Sequence, residues 1–204
     1  LNLVLLTVPL ISIVFATTHF YNSYEFMELL VAQPINRKKI FMSEYLGVAC
    51  SLSSAFVLGV GVPVLLFGAS MTGLYLLLTG VFITFIFVAL AFLASVITRD
   101  KAKGIGIALL LWFYFALIYD GIVLFILYSF SDYPLENATL ALTAFNPVDL
   151  GRIIVLLNLD VSALMGYTGA LYKSILGSMW GISLAFGLLL VWILVPVLSS
   201  GRIF

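Results

Sequence analysis

Charge is what this sequence has least of. Only 18 of its 204 residues are charged, nine basic and nine acidic, which is 9% against roughly 25% in an average soluble domain. The balance of signs offers no attraction to DNA or RNA. One cysteine, Cys50, excludes an intramolecular disulfide framework, and one histidine, His19, leaves no His/Cys cluster to hold a metal. The five methionines (27, 42, 71, 165 and 179) are scattered and form no thioether ladder for copper. The sequence contains no G-x-x-x-x-G-K-[ST], H-E-x-x-H, C-x-x-C or G-x-S-x-G, so neither a phosphate-binding loop nor a familiar hydrolytic centre is expected.

What is abundant is apolar: 64% of the chain. A soluble fold of this size has too little polar surface to cover that many apolar side chains. Five stretches approach or exceed the roughly 20 apolar residues that a membrane-spanning helix needs: residues 1–16, 46–67, 74–97, 105–128 and 175–198. The expected fold is an all-α, polytopic transmembrane helix bundle, a single transmembrane domain over 1–204.

The basic residues sort by side. Arg37, Lys38 and Lys39, then Arg99, Lys101 and Lys103, then Arg202 fall on one side if the spans alternate; Arg152 and Lys173 fall on the other. The excess places the first group in the cytoplasm. Segment 129–174 is then extracytoplasmic, and Leu1 begins outside. That entry predicts a helix ahead of Leu1, making five spans present of six, and no signal peptide fits the start.

Between the first two spans, residues 22–34 read as a short helix. Asn22 is its expected N-cap with Glu25 three residues on, and Pro34 stops it. Phe26, Leu29, Leu30 and Gln33 share one face. Arg37, Lys38 and Lys39 open a second helical stretch leading into span two. The pattern fits an amphipathic helix at the lipid headgroups, or a docking helix for a cytoplasmic partner.

Asp120 is the one acid well inside a span, about 5 Å from its midpoint at a helical rise of ~1.5 Å per residue. An ionised Asp there is costly, and no Lys or Arg lies in any span to pair with it. It is expected either to be protonated or hydrogen-bonded facing the bundle interior, or to line a translocation path or form a proton-sensitive site. In the outer segment, Asn146, Pro147 and Asp149 mark a helix start: a cap, a first-position proline and an acid in the first turn. Val148, Leu150, Ile153, Ile154 and Leu157 give that helix an apolar face with Asp149 and Arg152 opposite, so it is expected to lie along the outer surface, as a gate or a partner platform, or else to be a plain re-entrant or interfacial linker. Gly177, Gly181 and Ala185, four apart, form a small-residue stripe for packing within the chain or in a dimer. Cys50 is expected to be a packed core thiol and His19 an interfacial residue.

Two groups of these residues carry a resemblance. The run Met27-Glu28-Leu29-Leu30-Val31-Ala32-Gln33-Pro34-Ile35-Asn36-Arg37-Lys38-Lys39-Ile40, followed by Glu44-Tyr45-Leu46-Gly47, resembles the signature of type-2 ABC transporter permeases. It departs from it at Glu25-Phe26, where the family has Gly-Thr, and at Glu44, where it has Lys. Trp112-Phe113-Tyr114-Phe115, Asp120, Asn146-Pro147-Val148-Asp149-Leu150-Gly151-Arg152 and the stretch Ser162 to Gly169 are similar to the NosY-like members of that family. The resemblance implies that Glu25, Phe26, Glu28, Leu29, Leu30, Gln33, Pro34 and Arg37 couple the permease to a separate ATPase subunit, which holds the ATP and Mg. It implies a permease homodimer in the bacterial inner membrane, a periplasmic partner, and a role in copper or sulfur supply during nitrous oxide reductase maturation. This chain itself would bind no cofactor and no nucleic acid. An ABC exporter permease of another substrate is the near alternative. A stand-alone secondary transporter or channel would need broken helices and internal repeats, and a membrane-embedded enzyme would need a catalytic partner for Asp120.

Overall fold

The computed structural model describes residues 1–67, 70–98, 100–130, 136–157 and 179–204. Every regular element among them is helical, in eight helices. Helix α1 is Asn2–Asn22 and α2 is Tyr24–Val31. Helix α3 covers 37–67, as Arg37–Phe56, a π-helical turn Val57–Gly61 and Val62–Phe67. Helix α4 is Met71–Ile97, and α5 is Lys101–Ser129 with a π-helical turn at Tyr114–Ile118. Then come α6 (Glu136–Ala144), α7 (Pro147–Leu157) and α8 (Met179–Ile203). Five of these helices (α1, α3, α4, α5 and α8) are long and apolar enough to cross a membrane.

Local chemistry sets the boundaries. Asn36 caps α3 by accepting from Lys38 N at 3.0 Å, Ser70 caps α4 from Gly73 N at 3.2 Å, and Asp100 caps α5 from Ala102 N and Lys103 N at 2.8 and 3.1 Å. Pro63 cannot donate to the carbonyl four residues back, and the π-helical turn Val57–Gly61 lies just before it, where the helix ladder must adjust.

Helix α4 is the hub. It packs against α1, α3, α5, α7 and α8, and Ile83, Ile86, Phe87, Val88, Ala89, Ala91 and Phe92 are sealed within it. Two of its buried hydroxyls answer to its own backbone, Thr84 and Ser95 donating to the Gly80 and Ala91 carbonyls at 2.8 Å, whereas the buried Thr79 hydroxyl has no partner among the described residues. Phe92 gathers Phe20, Phe41 and Tyr45 edge-on, with ring centroids 5.3, 5.7 and 6.0 Å away. Tyr21 Oη donates to the Thr98 carbonyl at 2.6 Å, and its ring lies against Gly104, where a methyl group would overlap it. Those contacts bring the ends of α1 and α4 and the start of α5 to one end of the bundle. Exposed Arg37, Lys38, Lys39, Lys101, Lys103 and Arg202 stand there together, and Lys101 Nζ donates to Asn22 Oδ1 at 2.8 Å.

Several expectations change. The first span does not stop near residue 16; α1 continues to Asn22. Asn22 is therefore no N-cap: Ser23 joins α1 to α2 in helical conformation with no side-chain cap. Cys50 is exposed on α3, facing away from the core.

Candidate functional site

Two regions carry the candidate residues. At the basic end, α2 faces two ways. Met27 is buried, 2% exposed, and anchors the helix to the bundle. Phe26 and Leu29 point outward at 60% and 67% exposure, a large apolar display next to exposed Glu25 and Glu28. Leu30 is half-buried, and Gln33, Pro34 and Arg37 are exposed in the turn and at the start of α3. A cleft of about 310 Å³ between α2 and α3 is lined by Phe26, Leu30, Ile35, Lys39, Ile40 and Glu44. Sequence reasoning missed what Glu44 does: its Oε1 lies 2.7 Å from His19 Nε2. The pair ties the last turn of α1 to α3 and so brackets α2. An acid where the family has Lys, and the one histidine near that end, were the available signal.

At the opposite end, α6 and α7 form a bent pair at 112°. Asn146, fully buried, sits at the bend. Its Oδ1 accepts from Val148 N at 3.0 Å, so it does cap α7, while its Nδ2 donates to the Phe115 carbonyl at 3.0 Å and to Asp149 Oδ2 at 2.9 Å. Phe115 belongs to the π-helical turn of α5, where the helical ladder is altered. That carbonyl lies ~21 Å from the Ser129 end of α5 at ~1.5 Å per residue, which is deep in a hydrocarbon core ~30 Å thick. Helix α7 is thus not a surface helix. Val148, Leu150, Ile153, Ile154 and Val155 are buried, and the helix packs on α4, α8 and α1. Gly151 permits this: a Cβ there would stand 2.7 Å from Thr79 Cγ2 and 2.8 Å from Ile83 Cδ1. Tyr119 Oη to the Leu142 carbonyl (2.6 Å) and Trp192 Nε1 to the Ala144 carbonyl (3.0 Å) hold α6 against α5 and α8. The apolar run on both sides of Asn146-Pro147, too short on each side to span, was the sequence signal for a bent, broken or re-entrant segment.

The insertion of α7 also supplies the partner that Asp120 lacked. Arg152 NH1 is 3.0 Å from Asp120 Oδ2 and 3.1 Å from Asp149 Oδ1. One guanidinium thus bridges an acid on α5 and an acid on its own helix. The expectation of no basic partner at membrane depth fails because it treated 146–157 as lying outside the bundle. Both carboxylates are engaged by the same cation, which ties α5 to α7. The cluster opens on a cavity of about 310 Å³ lined also by Val123, Leu127, Thr139 and Thr143. Of the small-residue stripe, Gly181 and Ala185 are buried within the chain, and Gly177 lies outside the described residues. So do Arg99, Lys173 and the stretch Ser162 to Gly169.

Comparison with known proteins agrees with this architecture. A family model described as "ABC-2 family transporter protein" matches residues 3–204. A relative from Pseudomonas aeruginosa named "Probable ABC transporter permease protein NosY" is 30% identical over 148 residues, covering 68% of this chain and 54% of the relative. A protein of the same name from Stutzerimonas stutzeri is 27% identical over 137 residues, 62% of this chain and 49% of the relative. The chain spans about half the length of these curated relatives. With nearly every residue matched by the family model, over a helix bundle of the kind that family requires, the chain belongs to the ABC-2 family of transporter proteins.

Proposed function

We propose that this chain is the membrane subunit of an ATP-driven transporter, that α2 receives the motion of a separate cytoplasmic ATPase, and that the α6–α7 hairpin gates the opposite side. The observation that carries the reading is the outward display of Phe26 and Leu29 on a helix anchored by Met27, at the end where the basic residues collect. A soluble partner can seat on that apolar face, and the bracket formed by His19 and Glu44 passes its movement to α1 and α3. ATP and Mg belong to the ATPase. Two copies of this chain would pair with two ATPases in a bacterial inner membrane.

The similarity to proteins named NosY supports a role in nitrous oxide reductase maturation, with a periplasmic partner at the hairpin end. Deleting the gene and then measuring nitrous oxide reduction and the metal and sulfide content of the reductase tests that role. A defective reductase restored by the wild-type gene supports it; a fully active, fully loaded reductase assigns the permease to another substrate. Co-purification with the ATPase encoded beside the gene tests the coupling itself. Failure of the two to associate would point to a transporter working alone, which the bent α6–α7 pair would favour.

A further inference from the structure

On the flank away from the α6–α7 hairpin, α3, α4 and α8 enclose a groove of about 380 Å³ lined by Met42, Tyr45 and Leu46, Phe82 and Phe85, and Leu194 with its neighbours on α8. That volume lies within the ~300–1,000 Å³ of small-ligand pockets. Its lining is wholly apolar. The one hydroxyl among these side chains, Tyr45 Oη, is spent on the Phe85 carbonyl at 3.2 Å, leaving the ring alone to face the groove. No polar solute finds a partner there, whereas a hydrocarbon chain needs none.

The end of the groove is not neutral. Phe41 meets Gly201 and Phe204, with the Phe41 and Phe204 ring centroids 5.6 Å apart, so the start of α3 and the end of α8 converge. Lys38 lies on the same stripe of α3 as Met42 and Leu46, at i, i+4 and i+8, and is exposed. Arg202, also exposed, follows Gly201 on α8. No acid is among the described residues that line the groove. An apolar slot with exposed Lys38 one turn beyond its α3 lining, and Arg202 near the same end of α8, complements one membrane component: a phospholipid with a net negative headgroup. We infer that this groove is a binding site for an anionic phospholipid of the cytoplasmic leaflet, its acyl chain between α3 and α8 and its phosphate at Lys38 and Arg202.

The test is native mass spectrometry of the full-length protein in detergent, with phosphatidylglycerol and phosphatidylcholine added in equal amounts. The wild type is expected to retain phosphatidylglycerol several-fold over phosphatidylcholine. Lys38→Gln with Arg202→Gln is expected to abolish that preference, and Leu194→Trp, which fills an exposed part of the groove, to abolish retention of both. Equal retention of the two lipids by the wild type, or a preference untouched by the charge variants, overturns the assignment. A Met42→Cys, Cys50→Ser variant examined in native membranes guards against another occupant. Efficient disulfide-linked dimers would show that a second copy fills the groove, and would also overturn it.

Discussion

Replacing Arg152 with Gln removes the only described cation that engages Asp120. Asp120 lies ~14 Å from the Ser129 end of α5, at ~1.5 Å per residue. Breaking a fully buried ion pair by removing one partner costs about 3–5 kcal/mol, and exposed pairs are worth about 0–1. Arg152 and Asp120 are 31% and 34% exposed, between those limits, so Arg152→Gln is expected to cost roughly 2–3 kcal/mol. Asp120→Asn should cost less, about 1 kcal/mol, because Arg152 keeps Asp149 at hand and the amide still accepts a hydrogen bond. The two substitutions remove the same contact, so the double variant should fall short of their sum by about 1 kcal/mol. Reversible unfolding in mixed micelles, followed by circular dichroism, measures all three. Additive effects, or an Arg152→Gln variant as stable as wild type, would refute the bridge between α5 and α7.

Three further outcomes follow from the contacts. Asn146→Ala loses both the α7 cap and the bond to the Phe115 carbonyl, and should destabilise by about 2–3 kcal/mol in the same unfolding assay. Gly151→Ala drives a methyl into Thr79 and Ile83 and should cost about 1–3 kcal/mol, with faster protease cleavage around 136–157 as a second readout. Glu44→Ala releases His19 at a partly exposed position; stability should change by less than about 1 kcal/mol, while cross-linking of introduced cysteines between the ends of α1 and α3 should become less efficient.

The span pattern was legible because length and hydropathy dictate it. Five apolar stretches became five helices, and the Asn146-Pro147 start appeared where the capping chemistry put it. The coupling stretch was legible as a helix, though its N-terminal boundary was not, because Asn22 found a better role as the acceptor of Lys101. The largest miss was the depth of α7. Its apolar face with Asp149 and Arg152 opposite fits a helix floating at an interface as well as one buried in the bundle. What separates the two is tertiary: the space left by Gly151 beside α4, and the Phe115 carbonyl in a π-helical turn of α5 that accepts from Asn146. Neither a helix-to-helix approach nor a local change of helix type has a periodic signature, so Asp120 looked unpaired until both were in view.

Helix α2 is the proposed receiver of ATPase motion. Reconstituting the permease with its ATPase and measuring ATP hydrolysis in wild type, Leu29→Asp and Glu28→Ala tests it most directly. Leu29 is 67% exposed, so its substitution should leave unfolding unchanged while ATPase association and stimulation are lost by roughly 10-fold or more, the size of a buried interface anchor. Association and stimulation equal to wild type in both variants would contradict the coupling role of α2.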